Sequence, residues 1–197
     1  MIPRWLPNVI TLVRIVLIPV FVWLATETQA AAVAGQPHGA WRVTTLLALL
    51  GIGVSDLLDG YLARKYGLTT AFGATMDAVA DKLAQIAFLV YFTLTNGPAF
   101  TPFPWWFLAL IIIRDIVLGV GWLILRMTKG HVQVVHEHHG RLASCLLFAL
   151  AFWITAGGGP AVVGVAVFVI AAVVVASTAG YARDGWAQLG STNAPST

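Results

Sequence analysis

The stretch SDLLDGYLARKYGLTTAFGATMDAVADK, residues 55–82, places four aspartates close together in the chain. Asp56 and Asp59 lie three residues apart. Asp77 and Asp81 lie four residues apart, so each pair shares one face of a helix. A turn halfway between the pairs would fold the stretch back on itself, and a helix rises by about 1.5 Å per residue. The spacing therefore predicts an antiparallel helical hairpin that holds four carboxylates at one depth.

The composition around this stretch is that of a membrane protein. Of the 197 residues, 59% are hydrophobic and 10% are charged, whereas about a quarter of an ordinary soluble domain is charged. About six apolar runs have the length of about 20 residues that a helix needs to cross the hydrocarbon core. The chain is therefore predicted to be all-α, an integral membrane bundle of six transmembrane helices. We expect one membrane domain at residues 1–182 and a short polar C-terminal tail at residues 183–197.

The boundaries of the helices are predicted from Pro, Gly and polar residues that interrupt the apolar runs. The first helix should cover residues 9–26, and a polar loop should follow it at residues 27–39. The fifth helix should begin near Gly140, and the sixth should end near Gly180. These boundaries leave short connections between most neighbouring helices.

The orientation in the membrane follows from the cations, because cytoplasmic loops are enriched in Lys and Arg. In a bundle of six helices, both termini and the loops after the second and fourth helices lie on one side. The cations on that side are Arg4, Arg64, Lys65, Arg126, Lys129, Arg141 and Arg183. Arg42 lies near the other side. We therefore expect the protein to lie in the cytoplasmic (inner) membrane. Both termini and the four-aspartate site should face the cytoplasm.

Four carboxylates within a membrane need neutralisation, since an aspartate at a helix centre costs about 2.5–3.5 kcal/mol. Protonation could supply it, Arg64 and Lys82 could supply part of it, and divalent cations could supply most of it. A cluster of oxygen ligands suits Mg²⁺ or Mn²⁺ better than Zn²⁺. Two such ions can clamp an in-line phosphoryl displacement. The alternative is a charged patch that only anchors a hairpin in the head-group layer.

The same residues also form a signature at fixed spacing. It runs Asp56-x2-Asp59-Gly60-x2-Ala63-Arg64-x8-Gly73-x3-Asp77-x3-Asp81. This pattern resembles that of the CDP-alcohol phosphotransferase (CDP-alcohol phosphatidyltransferase) family. The segment PNVITLVRIVLIP, residues 7–19, resembles the opening of the phosphatidylglycerophosphate synthase and cardiolipin synthase branches. The resemblance implies a divalent-metal-dependent transferase of phospholipid biosynthesis.

The resemblance implies a reaction and a role for each residue of the signature. A phosphatidyl group passes from CDP-diacylglycerol to an alcohol acceptor, and CMP is released. Two Mg²⁺ or Mn²⁺ ions would be held by Asp56, Asp59, Asp77 and Asp81. Asp81 would also be the catalytic residue, as the general base that takes the proton of the attacking hydroxyl. The CDP pocket would be formed by Asp56, Gly60, Ala63, Arg64 and Gly73.

The acceptor is predicted from cations that could lie at the cytoplasmic mouth of the site. They are Arg14, Arg114, Lys129 and Arg141. These cations suit an anionic alcohol, and the resemblance of the opening segment favours glycerol 3-phosphate. Asp115 after Arg114 resembles cardiolipin-synthase-like members, so phosphatidylglycerol is the alternative acceptor. The resemblance also implies contact with the lipid bilayer, a homodimer, and no nucleic-acid partner.

Two other classes of membrane protein place acidic residues within helices. A polyprenyltransferase uses paired aspartates with Mg²⁺, but the Ala63-Arg64 element and the small number of helices count against it. A cation transporter would spread its acids along a path through the membrane, whereas these are predicted to lie at one depth. The histidine-rich segment HVQVVHEHHG, residues 131–140, has no HExxH spacing. We expect it to be a solvated cytoplasmic loop, with gating of the acceptor pocket as the alternative.

Overall fold

The computed structural model describes residues 6–67, 70–129 and 137–190. Within the helices, the side chains of residues 6, 7, 63, 64, 71, 125, 126, 129, 137–141 and 184–190 lie outside that description. The described ranges form six α-helices, which are α1 (Leu6–Val33), α2 (Gly39–Tyr66), α3 (Ala71–Leu94), α4 (Trp105–Lys129), α5 (Glu137–Thr155) and α6 (Pro160–Gly190). These ranges contain no β-strand, and Gly97 pairs with Phe100 in an isolated bridge. The predicted all-α class is confirmed for this part of the chain.

The helices divide between two compact units. The first comprises the described parts of Met1–Phe103 and Phe148–Val163, and it contains α1, α2, α3 and the C-terminal part of α5. The second comprises those of Pro104–Leu147 and Gly164–Thr197, and it contains α4, the N-terminal part of α5 and most of α6. All four signature aspartates lie in the first unit. The division into a membrane domain at 1–182 and a tail at 183–197 stays a prediction.

The first and last helices are longer than expected. α1 continues through the first half of the predicted loop and ends at Val33. Its added turns are stabilised by tertiary contacts, because Thr28 Oγ1 lies 3.0 Å from Thr45 Oγ1 of α2. The side chain of Gln29 also accepts a hydrogen bond from the backbone N–H of Ala99 at 3.2 Å. The predicted loop start at residue 27 was therefore wrong, and α6 likewise runs beyond its predicted end, to Gly190.

α1 packs against both α2 and α3. Small buried residues let the backbones approach one another, namely Ala25 of α1, Ala48 of α2, and Ala80 and Ala84 of α3. The fully buried ring of Phe21 on α1 packs edge-to-face on Phe88 of α3, with ring centroids 5.0 Å apart. α1 therefore connects the two helices that carry the aspartates.

The turn between α2 and α3 has a defined stop and a defined start. Gly67 follows α2 at φ 61°, a left-handed conformation that favours glycine after a helix. Thr70 is the N-cap of α3, and its side-chain oxygen accepts a hydrogen bond from the backbone N–H of Gly73 at 2.9 Å. The cap fixes the residue at which α3 begins, and with it the positions of Asp77 and Asp81 on the helix.

Four helices in the described part of the chain are long and apolar enough to cross a membrane. They span Asn8–Val33, Gly39–Leu62, Trp105–Ile124 and Pro160–Arg183, and Leu142–Thr155 is a shorter apolar helix. α3 is long enough as well, but Asp77, Asp81 and Lys82 interrupt its apolar sequence. The prediction of six spans with both termini in the cytoplasm stays a prediction.

The surface of the described residues is apolar to an extent that suits lipid. Leu57 and Leu94 are each 71% exposed, and Trp105 is 76% exposed. Exposure of so many large apolar side chains to water is unfavourable for a monomer, whereas lipid acyl chains are as apolar as these side chains. Together with the four apolar helices, this surface confirms the prediction of a membrane protein.

Candidate active site

α2 and α3 bring their aspartates together at one place. Each of Asp56, Asp59 and Asp77 offers a carboxylate oxygen, and these atoms all lie within 4.8 Å of one another. Asp81, one turn beyond Asp77 on α3, shares a guanidinium partner with the other three. Residues that are up to 25 positions apart in the sequence thus form one acidic cluster, which is called the aspartate cluster below.

Arg14 of α1 lies at the centre of the aspartate cluster. Its Nη1 atom donates hydrogen bonds to Asp77 Oδ1 at 2.8 Å and to Asp81 Oδ1 at 2.9 Å. The same atom lies 3.1 Å from Asp56 Oδ1. Its Nη2 atom donates a short hydrogen bond to Asp59 Oδ2. One guanidinium therefore contacts all four carboxylates, and its side chain is only 1% exposed.

Asp59 forms the floor of the cluster. Its side chain is 5% exposed, whereas those of Asp56, Asp77 and Asp81 are 46%, 41% and 56% exposed. Thr11 Oγ1 donates a hydrogen bond to Asp59 Oδ2 at 3.0 Å, so α1 fixes the orientation of this carboxylate. The other three carboxylates are partly exposed, so a ligand can reach them.

The donor set of the cluster fits a divalent metal ion. Three carboxylates converge, and all the candidate ligand atoms are oxygens, which hard cations such as Mg²⁺ prefer. Asp59 Oδ1 is also buried and has no hydrogen-bond partner among the described residues. A buried carboxylate oxygen without a partner costs free energy, which a bound cation would recover. Asp56, Asp59 and Asp77 can therefore hold a metal ion, and Asp81 is close enough to share the same counter-ion.

The structure describes only some of the side chains that were predicted to bind CDP. Gly60 directly follows Asp59 on α2, and Gly73 lies one turn before Asp77 on α3. A Cβ atom at Gly73 would lie 2.7 Å from Asn8 Oδ1 and 2.9 Å from Thr70 Oγ1, so a larger residue there would displace one of these side chains. The side chains of Ala63 and Arg64 lie outside the described residues. The CDP-binding roles stay predictions.

The cations predicted to bind the acceptor fall in different places. Arg14 lies within the aspartate cluster, as described above. Arg114 belongs to the second unit, where its Nη1 donates a hydrogen bond to Asp115 Oδ1 at 3.1 Å. The side chains of Lys129 and Arg141 lie outside the described residues, as do residues 131–136 of the histidine-rich segment. A role for these cations in acceptor binding stays a prediction.

Sequence reasoning missed the polar stripe of α1. Asn8, Thr11 and Arg14 are spaced three residues apart and so lie along one face of α1. Asn8 contacts Gly73, Thr11 contacts Asp59, and Arg14 contacts the whole cluster. Ser55 of α2 adds to these polar contacts, because its Oγ lies 3.4 Å from Arg14 Nε. Polar residues at helical spacing in an apolar helix are the signal that could have predicted that α1 contacts the site.

A comparison with models of protein families gives a match over most of the chain. The family described as CDP-alcohol phosphatidyltransferase matches residues 4–178. The matched range includes the whole aspartate cluster, the polar stripe of α1 and most of the second unit.

Individual relatives carry names from two branches. A "Probable phosphatidylglycerophosphate synthase" of Mycobacterium tuberculosis strain H37Rv is 31% identical over 171 residues, which cover 86% of this chain and 75% of the relative. A "CDP-diacylglycerol--glycerol-3-phosphate 3-phosphatidyltransferase" of Haemophilus influenzae is 42% identical over 88 residues, or 43% of this chain and 41% of the relative. A "Cardiolipin synthase (CMP-forming)" of Streptomyces coelicolor is 31% identical over 121 residues, or 61% of this chain and 51% of the relative.

Proposed function

The chain belongs to the CDP-alcohol phosphatidyltransferase family, and on that premise we propose that it transfers a phosphatidyl group from CDP-diacylglycerol to glycerol 3-phosphate. CMP is the leaving group, and phosphatidylglycerophosphate is the product. The observation that carries this proposal is the convergence of the four signature aspartates at one partly open site. Family membership sets aside the polyprenyltransferase and the cation transporter.

The metal in this proposal is a pair of Mg²⁺ or Mn²⁺ ions held by Asp56, Asp59, Asp77 and Asp81. When bound, such ions neutralise the charge on a pyrophosphate and on the attacking oxygen. The support for two ions is the number of carboxylates, since four can share two divalent cations. Asp59 contributes the buried oxygen and the other three contribute the exposed side of the site.

The residues of the chain position the two substrates. In the reaction, the acceptor oxygen forms a bond to the β-phosphorus of the CDP-lipid, and the bond from that phosphorus to the CMP oxygen breaks. The proton of the acceptor hydroxyl passes to Asp81, whose side chain is the most exposed of the four. Asp56, Gly60, Ala63, Arg64 and Gly73 line the CDP pocket. Arg64 offers charge-assisted hydrogen bonds to phosphate oxygens.

The choice of glycerol 3-phosphate rests on the relatives and on the cations. The relative that covers 86% of this chain is named as a phosphatidylglycerophosphate synthase. A free phosphate monoester carries more charge than a phosphodiester, so it gains more from Arg114, Lys129 and Arg141. The second candidate acceptor is phosphatidylglycerol, because Arg114 is followed by Asp115 and one relative is named as a cardiolipin synthase.

The proposal places the reaction at the cytoplasmic face of an inner membrane. α3 and α5 complete a bundle of six spans, both termini lie in the cytoplasm, and the enzyme is a homodimer. The asymmetry of the cations along the sequence supports this orientation. A lipid substrate can then reach the aspartate cluster while its acyl chains stay in the bilayer.

An acceptor screen tests this proposal. The purified protein is given CDP-diacylglycerol and Mg²⁺ with either glycerol 3-phosphate or phosphatidylglycerol, and CMP release is measured. We expect CMP with glycerol 3-phosphate and little with phosphatidylglycerol, and Asp59→Asn serves as the inactive control. CMP release with phosphatidylglycerol alone would make the chain a cardiolipin synthase instead.

A further inference from the structure

The aspartate cluster already contains a cation that belongs to the chain. Nη1 of Arg14 lies between 2.8 and 3.1 Å from the Oδ1 atoms of Asp56, Asp77 and Asp81. Three carboxylates from two helices therefore converge on one nitrogen atom. Nη2 contacts the fourth carboxylate, Asp59, from the buried side.

The guanidinium neutralises the cluster only in part. When all four carboxylates are ionised, the one guanidinium that contacts them leaves an excess of three negative charges. Arg14 has no access to water, since its side chain is 1% exposed, and its charge is held in place by these carboxylates alone among the charged groups that the structure describes. Among the described residues, Arg14 contacts all four carboxylates, and the remaining negative charge attracts further cations.

We propose that Arg14 is an exchangeable counter-ion, which closes the aspartate cluster before metal binds and leaves the carboxylates when metal binds. The inference rests on the metal site of the proposed function. A metal ion held by these carboxylates would compete with the guanidinium for the same negative charges, and the two cations repel each other at such short range. The carboxylates cannot neutralise the metal ion and the guanidinium equally well at the same time. Metal binding therefore costs the free energy of releasing Arg14.

Metal affinity is the quantity that this exchange controls. Arg14→Gln removes the charge and keeps a polar side chain, so metal no longer has to displace a cation. We expect Mn²⁺ alone, measured by electron paramagnetic resonance without substrates, to bind about tenfold more tightly or better to Arg14→Gln. Arg14→Lys keeps the charge and should bind Mn²⁺ with a Kd close to that of the unmodified chain.

A matched control separates exchange from a general charge effect. Lys65→Gln removes one positive charge from the same helix as Asp56 and Asp59, but Lys65 is exposed and its charge is screened. Its Kd for Mn²⁺ should therefore change far less than that of Arg14→Gln. Equal tightening in both variants would contradict the exchange.

Thermal unfolding in detergent supplies a second readout. In EDTA, Arg14→Gln should unfold at a lower temperature than the unmodified chain, because its carboxylates repel each other without a counter-ion. Saturating Mn²⁺ should then raise the Tm of Arg14→Gln more than that of the unmodified chain. If Arg14→Gln does not fold even in saturating Mn²⁺, Arg14 is a structural residue and the exchange is refuted.

The outcomes for the metal site and for the exchange differ. Mn²⁺ binding to neither the unmodified chain nor Arg14→Gln would overturn the metal site itself, and the exchange with it. Mn²⁺ binding that is unchanged or weaker in Arg14→Gln would overturn the exchange and leave the metal site and the proposed reaction standing.

Discussion

At the scale of single residues, the aspartates of the cluster have different surroundings. Asp59 is buried and accepts hydrogen bonds from Thr11 and Arg14, whereas Asp56 and Asp77 are almost half exposed. An asparagine at any of these positions keeps the shape of the side chain and removes its negative charge. The fold should therefore survive the change better than the metal site does.

This difference leads to a prediction for Asp56→Asn, Asp59→Asn and Asp77→Asn. Each variant should insert into the membrane and release CMP more slowly by more than about 100-fold, since loss of a ligand should exceed the 10–100-fold cost of losing a group that only orients one. The measurement is CMP release at saturating CDP-diacylglycerol. Glu27→Gln, which neutralises a carboxylate on α1 outside the cluster, is the control. Near-normal turnover in two of the three variants would contradict the two-metal assignment.

The aspartates could be predicted from the sequence because their spacing and their position in an apolar chain are local properties. Arg14 could be identified as a candidate for the same reason, but its place among the carboxylates could not. That place depends on the packing of α1 against both α2 and α3, through residues such as Phe21 and Ala25. Spacing within one helix carries no information about which helices are neighbours.

At the scale of helices, the α2–α3 connection decides the register of the two halves of the cluster. Thr70 caps α3 through its hydrogen bond with the backbone N–H of Gly73, and Asp77 follows one turn after Gly73. Loss of this bond leaves the first turn of α3 without its side-chain acceptor. The position of Asp77 relative to Asp56 then becomes less well defined.

The prediction at this scale concerns Thr70→Ala. It should cost about 1 kcal/mol of stability, the typical value for an N-cap, and lower the Tm in detergent by about 2–4 °C. Thr70→Ser keeps the accepting oxygen and is the matched control. The account of the cap fails if Thr70→Ala and Thr70→Ser unfold at the same temperature as the unmodified chain.

The helices themselves could be predicted better than their ends. The apolar runs located the six helices of the described residues, and four of these are long and apolar enough to cross a membrane. The end of α1 was misplaced because residues 27–33 are polar or small, and their hydrogen bonds to Thr45 and Ala99 form only in the folded chain. The start of α3, by contrast, depends on local residues, since Gly67 ends the preceding turn and Thr70 caps the helix.

At the scale of the whole molecule, the chain combines an apolar exterior with an acidic site. Large exposed side chains such as Leu57 lie on the same helix as Asp56 and Asp59. This arrangement gives one helix both exposed apolar side chains and clustered carboxylates. A substrate with acyl chains and a charged head group needs both surfaces side by side.

The central claim is that the aspartate cluster holds the metal on which phosphatidyl transfer depends. Its most direct test is CMP release from CDP-diacylglycerol and glycerol 3-phosphate, measured after exhaustive treatment with EDTA and again after each ion is added back. We predict no release in EDTA, recovery with Mg²⁺ or Mn²⁺, and poor recovery with Ca²⁺, whose longer and looser coordination misplaces the pyrophosphate. Undiminished CMP release from the fully chelated protein would contradict the claim.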